Sequence, residues 1–151
     1  MPYAKPAPFT AMEFWQRILA LINERGRDTS RDRVERAIGT KFVRIVGEVE
    51  TRAHFADYGV HWYFNARLSG GTSRPSLSID ADNQNGLMFS DGPLKYSPVV
   101  FDSLMKSGWV KSEPLPHFYP NLRLLEADFA AIMLNEYDNN VASLNITWFT
   151  K

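Results

Sequence analysis

Three histidines are the residues of this chain best suited to proton transfer or metal binding. His54 and His61 flank a predicted hairpin turn, and the alternation of apolar and polar residues places both on its polar side with Glu48 and Glu50. A metal or acid–base site needs two or three such side chains at ligand spacing, and no HxH or HExxH motif occurs. Cross-strand pairs on an exposed sheet face explain the same residues, and His117 lies in a proline-rich loop without an evident partner. We expect no catalytic residue, no metal and no cofactor, and hence no enzyme.

Other chemical motifs are weak or missing. The segment 80–91 has the acidic and amide residues of a calcium loop, but Gly86 stands at position seven instead of six and Asp91 at position twelve instead of Glu. A tight turn with side-chain hydrogen bonds explains that segment. No P-loop, GxGxxG or GxSxG motif occurs. The chain has no cysteine, which excludes disulfide scaffolds and thiolate sites.

A basic segment runs from Arg25 to Arg44. It contains seven basic and three acidic residues. The segment could bind phosphates, or it could be a solvated helix face with i,i+4 ion pairs. We favour the solvated face, so nucleic-acid binding is an alternative and not the main expectation.

Aromatic residues, at 13% of the chain, are the positive signal for binding. Most belong in a core, but exposed aromatics beside arginine are typical of protein–protein hot spots. The polar face of the predicted hairpin combines these residue types. We predict a partner-binding surface there, made of Arg44, Arg52, His61, Tyr63 and Arg67.

The most definite element is a helix that begins after Thr10. Thr10 is a favourable N-cap, Glu13 completes a capping box, and Phe9 and Phe14 occupy the hydrophobic-staple positions. Apolar residues recur at helical spacing as far as Ile22. A short basic helix follows, capped by Thr29 or Ser30 and ended by Gly39.

Period-two patterning then predicts strands. A strand over 43–52 and a strand over 60–68 form a hairpin, and strands over 76–81 and 87–89 follow. Ser97-Pro98 begins a helix that ends at Gly108, and a proline-rich loop spans 112–121. The apolar spacing over 122–137 predicts another helix, and a last strand spans 141–149. The fold class is therefore α+β, an antiparallel sheet of about five strands with helices packed on one face.

Length, charge and hydropathy limit the remaining classes. The 151 residues predict an extended arm over 1–9 and a single α+β domain over 10–151. The formal net charge is zero, although residues 1–75 hold 12 basic and 8 acidic side chains and residues 76–151 hold 5 and 9. No apolar run reaches the roughly 20 residues of a membrane span, and the first residues lack a signal-peptide core. We expect a cytoplasmic protein without a membrane partner.

Several features resemble the type III secretion chaperone-like (TY-Chap-like) family of bacterial domains. An aromatic strand, Val60–Leu68, leads into a strand that ends in an acid and an asparagine turn, Ser78–Asn85. A helix ends in the leucine-to-Gly-Trp step Leu104–Trp109, and a predicted long helix ends in Glu136-Tyr137 before a final strand. The N-terminal helix from Thr10 is also in the expected place.

The resemblance covers about Tyr58–Leu144. It implies a non-enzymatic α+β domain that binds a polypeptide, often as a dimer. The family's acid before the turn is commonly Glu, whereas this chain has Asp80 or Asp82 there, and the basic segment is an addition.

Four functions thus stand as hypotheses. The first is a chaperone-like protein-interaction domain whose partner is a client or effector protein, with a homodimer possible. The second is a toxin-neutralising immunity protein or another protein inhibitor. The third is nucleic-acid binding through Arg25–Arg44, and the fourth is an enzyme that uses His54 and His61.

Overall fold

The computed structural model describes residues 5–24, 29–45, 48–57, 60–69, 75–83, 97–112, 122–137 and 140–149. Within these ranges lie three helices and nine strands. The helices are α1 (Ala11–Ile22), α2 (Arg31–Ile38) and α3 (Ser97–Lys106). The strands are β1 (Lys5–Pro6), β2 (Val43–Ile45), β3 (Glu48–Asp57), β4 (Val60–Ser69), β5 (Ser76–Asn83), β6 (Val110–Ser112), β7 (Leu122–Ala127), β8 (Ala130–Tyr137) and β9 (Asn140–Trp148).

All nine strands belong to one sheet, ordered β1-β3-β4-β5-β9-β8-β7-β6, with β2 also paired to β3. Every pair is antiparallel except β1–β3, where Lys5 lies opposite Ala53 and Pro6 opposite His54. The last strand in sequence, β9, is inserted between β5 and β8. Residues far apart in the chain therefore become neighbours at the centre of the sheet.

The predicted start of α1 is confirmed. The Thr10 hydroxyl accepts a hydrogen bond from the Glu13 backbone N–H at 3.2 Å, which satisfies one of the free N–H groups of the first turn. The Phe9 and Phe14 rings lie 6.1 Å apart, as a hydrophobic staple requires. The Arg17 guanidinium lies 4.8 Å from the centre of the Phe9 ring. These contacts hold the end of the N-terminal arm against the first helix.

The end of α2 depends on a glycine. Ser30 caps the start of α2, and Gly39 ends it with a φ of +77°, a conformation that costs other residues energy. A Cβ at Gly39 would lie 2.7 Å from the Phe9 ring, so the position of Phe9 also requires glycine at residue 39. Arg17 donates to the Ala37 and Arg36 carbonyl oxygens at the same end.

The Gly108-Trp109 step ends α3 as a Schellman motif. The Trp109 N–H donates to the Leu104 carbonyl and the Gly108 N–H to the Met105 carbonyl, with a φ of +96° at Gly108. Trp109 is buried and its indole N–H donates to Asn23 Oδ1 at 2.9 Å. Helix capping and core packing thus account for this pair of residues.

One face of the sheet and the inner sides of the helices form a single hydrophobic core. Phe14 of α1 and Phe64 of β4 meet with ring centres 4.5 Å apart. The sheet contributes alternate residues of its central strands, among them the fully buried Phe64, Ala66, Leu77, Ile79, Leu144, Ile146, Ile132 and Leu134. The three helices therefore cover one face, as the α+β pattern predicts.

Two sequence predictions about the sheet are wrong. The sheet has nine strands in the described ranges instead of about five. Strands β1 and β6 are too short to carry a periodic signal, the strand predicted over 43–52 is divided into β2 and β3, and β7 and β8 replace a predicted helix. The helix predicted over 122–137 is instead the hairpin of β7 and β8, with a turn at Asp128 and Phe129. Alternate residues Ala130, Ile132 and Leu134 are buried, which is a strand pattern.

Some predictions lie outside the described residues. These are the short strand over 87–89, most of the loop over 112–121 and the first four residues of the arm. The described remainder of the arm carries β1.

Candidate functional site: the open face of the sheet

The sheet surface opposite the helices is the candidate site, and we call it the open face. No described helix or strand packs against it. Because residues opposite each other in neighbouring strands share a face, the pairing of β2 through β7 defines two rows that cross this surface. The first row runs Val43, Glu50, Arg67, Ser78, Asn145, Met133, Leu124. The second row runs Asn65, Asp80, Ser143, Asn135, Leu122.

The β3–β4 side of the open face carries an ion pair. Arg67 Nη2 lies 2.8 Å and Arg67 Nε 2.9 Å from Glu50 Oε1, directly across the two strands. The side chains are 56% and 34% exposed, so the pair is reached by water and screened by salt. The guanidinium therefore has a carboxylate of the same sheet as its neighbour.

The centre of the open face is a shallow trough. Strands β5 and β9 carry short polar side chains there, whereas Arg67 on β4 and Met133 on β8 are longer. Asn145 Nδ2 donates to Ser78 Oγ at 2.5 Å, and Thr147 Oγ1 lies 3.5 Å from Ser76 Oγ. The depression has a volume of about 340 Å³. Its lining residues are Glu50, Asn65, Ala66, Arg67, Ser78, Asp80, Ser143, Leu144 and Asn145.

Asp80 is the charged group at the middle of this trough. It lies opposite Asn65 on β4 and Ser143 on β9, and its side chain is exposed. None of the described cationic side chains forms a salt bridge with it, since Arg67 is held by Glu50. The trough therefore presents one carboxylate without a described counter-charge.

The β6–β8 side of the open face carries a group of apolar side chains. Met133 is 48% exposed, and its row neighbour Leu124 and the nearby Leu122 are partly exposed. Val110 of β6, 66% exposed, lies opposite Glu126 on the same surface. The open face thus changes from charged and polar at β3–β5 to a surface at β6–β8 where the apolar Met133, Leu124 and Val110 lie among the exposed Asn135 and Glu126.

The predicted partner-binding residues divide into three groups. Tyr63 and Arg67 lie on the open face, as predicted. Arg52 and His61 belong to β3 and β4, and their register places them on that face, but their side chains are outside the described part. Arg44 lies opposite Val49, on the other side of the sheet.

The prediction that Arg44 shares a face with Arg67 is therefore wrong. The segment 43–52 is not one strand, since β2 ends at Ile45 and β3 starts at Glu48 in antiparallel orientation. Counting by twos across such a junction reverses the faces. Val43, predicted to point inward, is 63% exposed beside Glu50 for the same reason.

Of the residues in the histidine hypothesis, only the His54 side chain lies in the described part of the chain, since the His61 side chain and His117 are outside it. His54 packs against Tyr63, with ring centres 5.7 Å apart, on the open face. Within the described ranges, no three histidine, aspartate or glutamate side chains are placed to hold a metal ion together.

Several arginines of the first 44 residues are used in structural contacts. Arg31 donates to the Phe42 carbonyl at 2.6 Å and lies 3.4 Å from the buried Glu35 carboxylate. Glu35 also accepts from the Phe42 N–H at 2.7 Å. Arg33 pairs with Glu24 at 2.8 Å. The bonds to Phe42 fix α2 to the segment before β2, and the Arg33–Glu24 pair fixes it to the end of α1, so these charges have a structural use.

Comparison with protein-family models, with curated proteins and with solved structures finds no match to this chain. None of the three described helices is both long enough and apolar enough to cross a lipid bilayer. The site therefore has to be interpreted from its own geometry.

Sequence reasoning missed Asp80, Ser78, Asn145, Met133 and Val110 as members of one surface. Ser78 and Asn145 are 67 positions apart in the chain and meet only because β9 pairs with β5. The alternation within each strand is visible in the sequence, but the order of strands is not. No signal in a single sequence reveals which strands are neighbours across the sheet.

Proposed function

We propose that this protein is a non-enzymatic binding protein that holds a polypeptide partner against the open face of its sheet. The observation that carries the proposal is the exposure of Met133 and Val110 on a sheet surface that no described helix covers. Exposed apolar side chains clustered on one surface are typical of interaction sites.

The chemistry of the open face suits recognition of a protein. Burial of an apolar side chain contributes roughly 1.5–3 kcal/mol, so Met133, Leu124 and Val110 supply affinity. The Glu50–Arg67 pair and Asp80 supply selectivity, because charges at the rim of an interface mainly choose the partner. The described depression of about 340 Å³ is open to solvent, and its polar lining side chains are exposed or half-buried, unlike a pocket that encloses a metabolite.

A chaperone-like role is the specific form of this function that we propose. The Schellman end of α3 at Gly108-Trp109 and the β4–β5 hairpin support it, since both belong to the resembled pattern. The β7–β8 hairpin stands where the resemblance expects a long helix, so that feature does not contribute.

The test uses affinity capture with matched variants. The tagged protein is incubated with lysate of its native cells, and the mass of each intact complex is measured. Met133→Asp places a charge in the apolar part of the open face. Met105→Asp is the control, because Met105 is 41% exposed on α3, away from that face.

We expect one polypeptide to be captured by the wild type and by Met105→Asp, and lost from Met133→Asp. Both variants should melt within a few degrees of the wild type, since neither side chain is buried. Equal capture by all three proteins would contradict the proposal, as would loss from Met105→Asp alone.

A further inference from the structure

The trough and its two flanks specify the chemistry of the partner more narrowly. We propose that the open face binds a basic amphipathic helix of a partner protein, lying along β9 with a lysine or arginine at Asp80 and apolar residues on Met133 and Leu124. This inference rests on the proposed function and adds the partner's chemistry.

The width of the surface favours a helix as occupant. Arg67 lies on β4 and Met133 on β8, with β5 and β9 between them. Three strand spacings are about 14 Å, which leaves room for an α-helix of 10–12 Å diameter with its side chains. An added extended strand presents one row of side chains to a surface and would not reach both flanks.

The floor of the trough also suits a helix. On the open face, β9 carries Ser143, Asn145 and Thr147, and β5 carries Ser78. All are shorter than Arg67 of β4 on one flank and Met133 of β8 on the other. Ser143 to Thr147 spans about 14 Å, the length of two to three helical turns. A helix seated there contacts both flanks at once, as in other helix-in-groove complexes.

The charged side chains that line the trough indicate the charge of the partner helix. The charged side chains that line the trough are Glu50, Arg67 and Asp80, which are two carboxylates and one guanidinium. Arg67 lies beside Glu50, and no described cation forms a salt bridge with Asp80. A basic residue placed over Asp80 therefore meets a complementary charge, and an acidic one is repelled.

The test uses two synthetic helical peptides of about three turns that differ only in charge. Both carry leucine on one flank and alanine or serine beneath, and the other flank carries lysine in one peptide and glutamate in the matched peptide. Each is labelled and titrated against the whole protein by fluorescence anisotropy. Asp80→Asn is compared with Asp102→Asn, which removes an exposed carboxylate from α3.

We expect the lysine peptide to bind and the glutamate peptide not to bind. Asp80→Asn should weaken the lysine peptide about fivefold, the upper end for a solvent-reached ion pair. Met133→Asp should weaken it at least about tenfold, because an apolar contact is lost. Asp102→Asn should leave the affinity unchanged.

Three results would each overturn the inference: no binding of the lysine peptide, equal binding of both peptides, or equal effects of Asp80→Asn and Asp102→Asn. If the peptides fail while native capture still depends on Met133, the open face binds a partner of another chemistry. If native capture does not depend on Met133 either, the proposed function fails as well.

Discussion

The two faces of the one sheet are built from the same strands and differ in almost every other respect. On the helix-covered face, Phe64, Ile79 and Leu144 are fully buried and close-packed. On the open face, their neighbours Asn65, Asp80 and Ser143 form a polar row of which the first two are exposed. Period-two alternation produces this contrast within single strands.

The buried side chains of the sheet stabilise the fold, whereas the exposed ones are accessible to a partner. A buried side chain is constrained by volume, because interiors are packed as densely as organic crystals. An exposed side chain such as Met133 is under no such constraint, and exposing it stabilises nothing. Its exposure beside the trough is the observation on which the proposed binding role depends.

The largest expected difference in unfolding free energy between the two faces is that between Phe64→Ala and Asn65→Ala. Phe64 is fully buried against Phe14, so truncation leaves a cavity and should cost about 3–5 kcal/mol of unfolding free energy. Asn65 is exposed, and its truncation should cost less than about 1 kcal/mol. Urea denaturation measures both. Similar losses for the two variants would show that the open face is packed in solution.

A pair of adjacent residues on β8 repeats the comparison nearer the apolar flank. Leu134 is fully buried and Met133 is 48% exposed. Leu134→Ala should lower the unfolding free energy by about 2–5 kcal/mol, and Met133→Ala by less than about 1 kcal/mol. Thermal and urea unfolding provide the measurement. A large loss at Met133 that depends on protein concentration would indicate that the chain covers this flank by self-association.

The smallest expected effect concerns the Glu50–Arg67 pair. A double-mutant cycle with Glu50→Ala and Arg67→Ala should give a coupling energy of about 0.2–1 kcal/mol, because water reaches both groups. The coupling should shrink in 1 M salt. A coupling above roughly 2 kcal/mol that salt leaves intact would show that the pair is shielded, contrary to an uncovered face.

Local signals in the sequence were sufficient for much of the fold. The Thr10 cap, the Phe9–Phe14 staple and Gly39 each act over a few residues, and the structure confirms all three. The β3–β4 hairpin follows from strict alternation, which also places Tyr63 and Arg67 on the polar face. Such features need no knowledge of distant parts of the chain.

The segment 122–137 shows where local signals become ambiguous. Its apolar residues are dense enough to fit both a helical and a strand period, and the turn at Asp128-Phe129 contains no glycine or asparagine. The helical interpretation selects Met133, which is exposed, and omits Leu134, which is fully buried. Pairing of β8 with β9 decides the outcome, and that pairing is a tertiary interaction.

The candidate site was predictable only in its β3–β4 part. Tyr63 and Arg67 share a strand, so their common face follows from alternation alone. Asp80 meets Ser143, and Asn145 meets Met133, only through the strand order. The trough is therefore a product of topology and not of any one segment.

The short strand β1 affects whether the edge of the sheet is open to pairing with another molecule. Sheet edges expose backbone groups that can join the edges of other molecules, and proteins with long bare edges tend to aggregate. Residues Lys5 and Pro6 lie along β3 beside β2, and Phe9 is held in place over Gly39. Strand β1 thus covers part of this edge of the sheet. Pro6, its second residue, has no backbone N–H to donate to a strand that approaches from outside. A chain shortened past Phe9 would lose this protection against edge-to-edge assembly together with the Phe9–Phe14 contact at the start of α1.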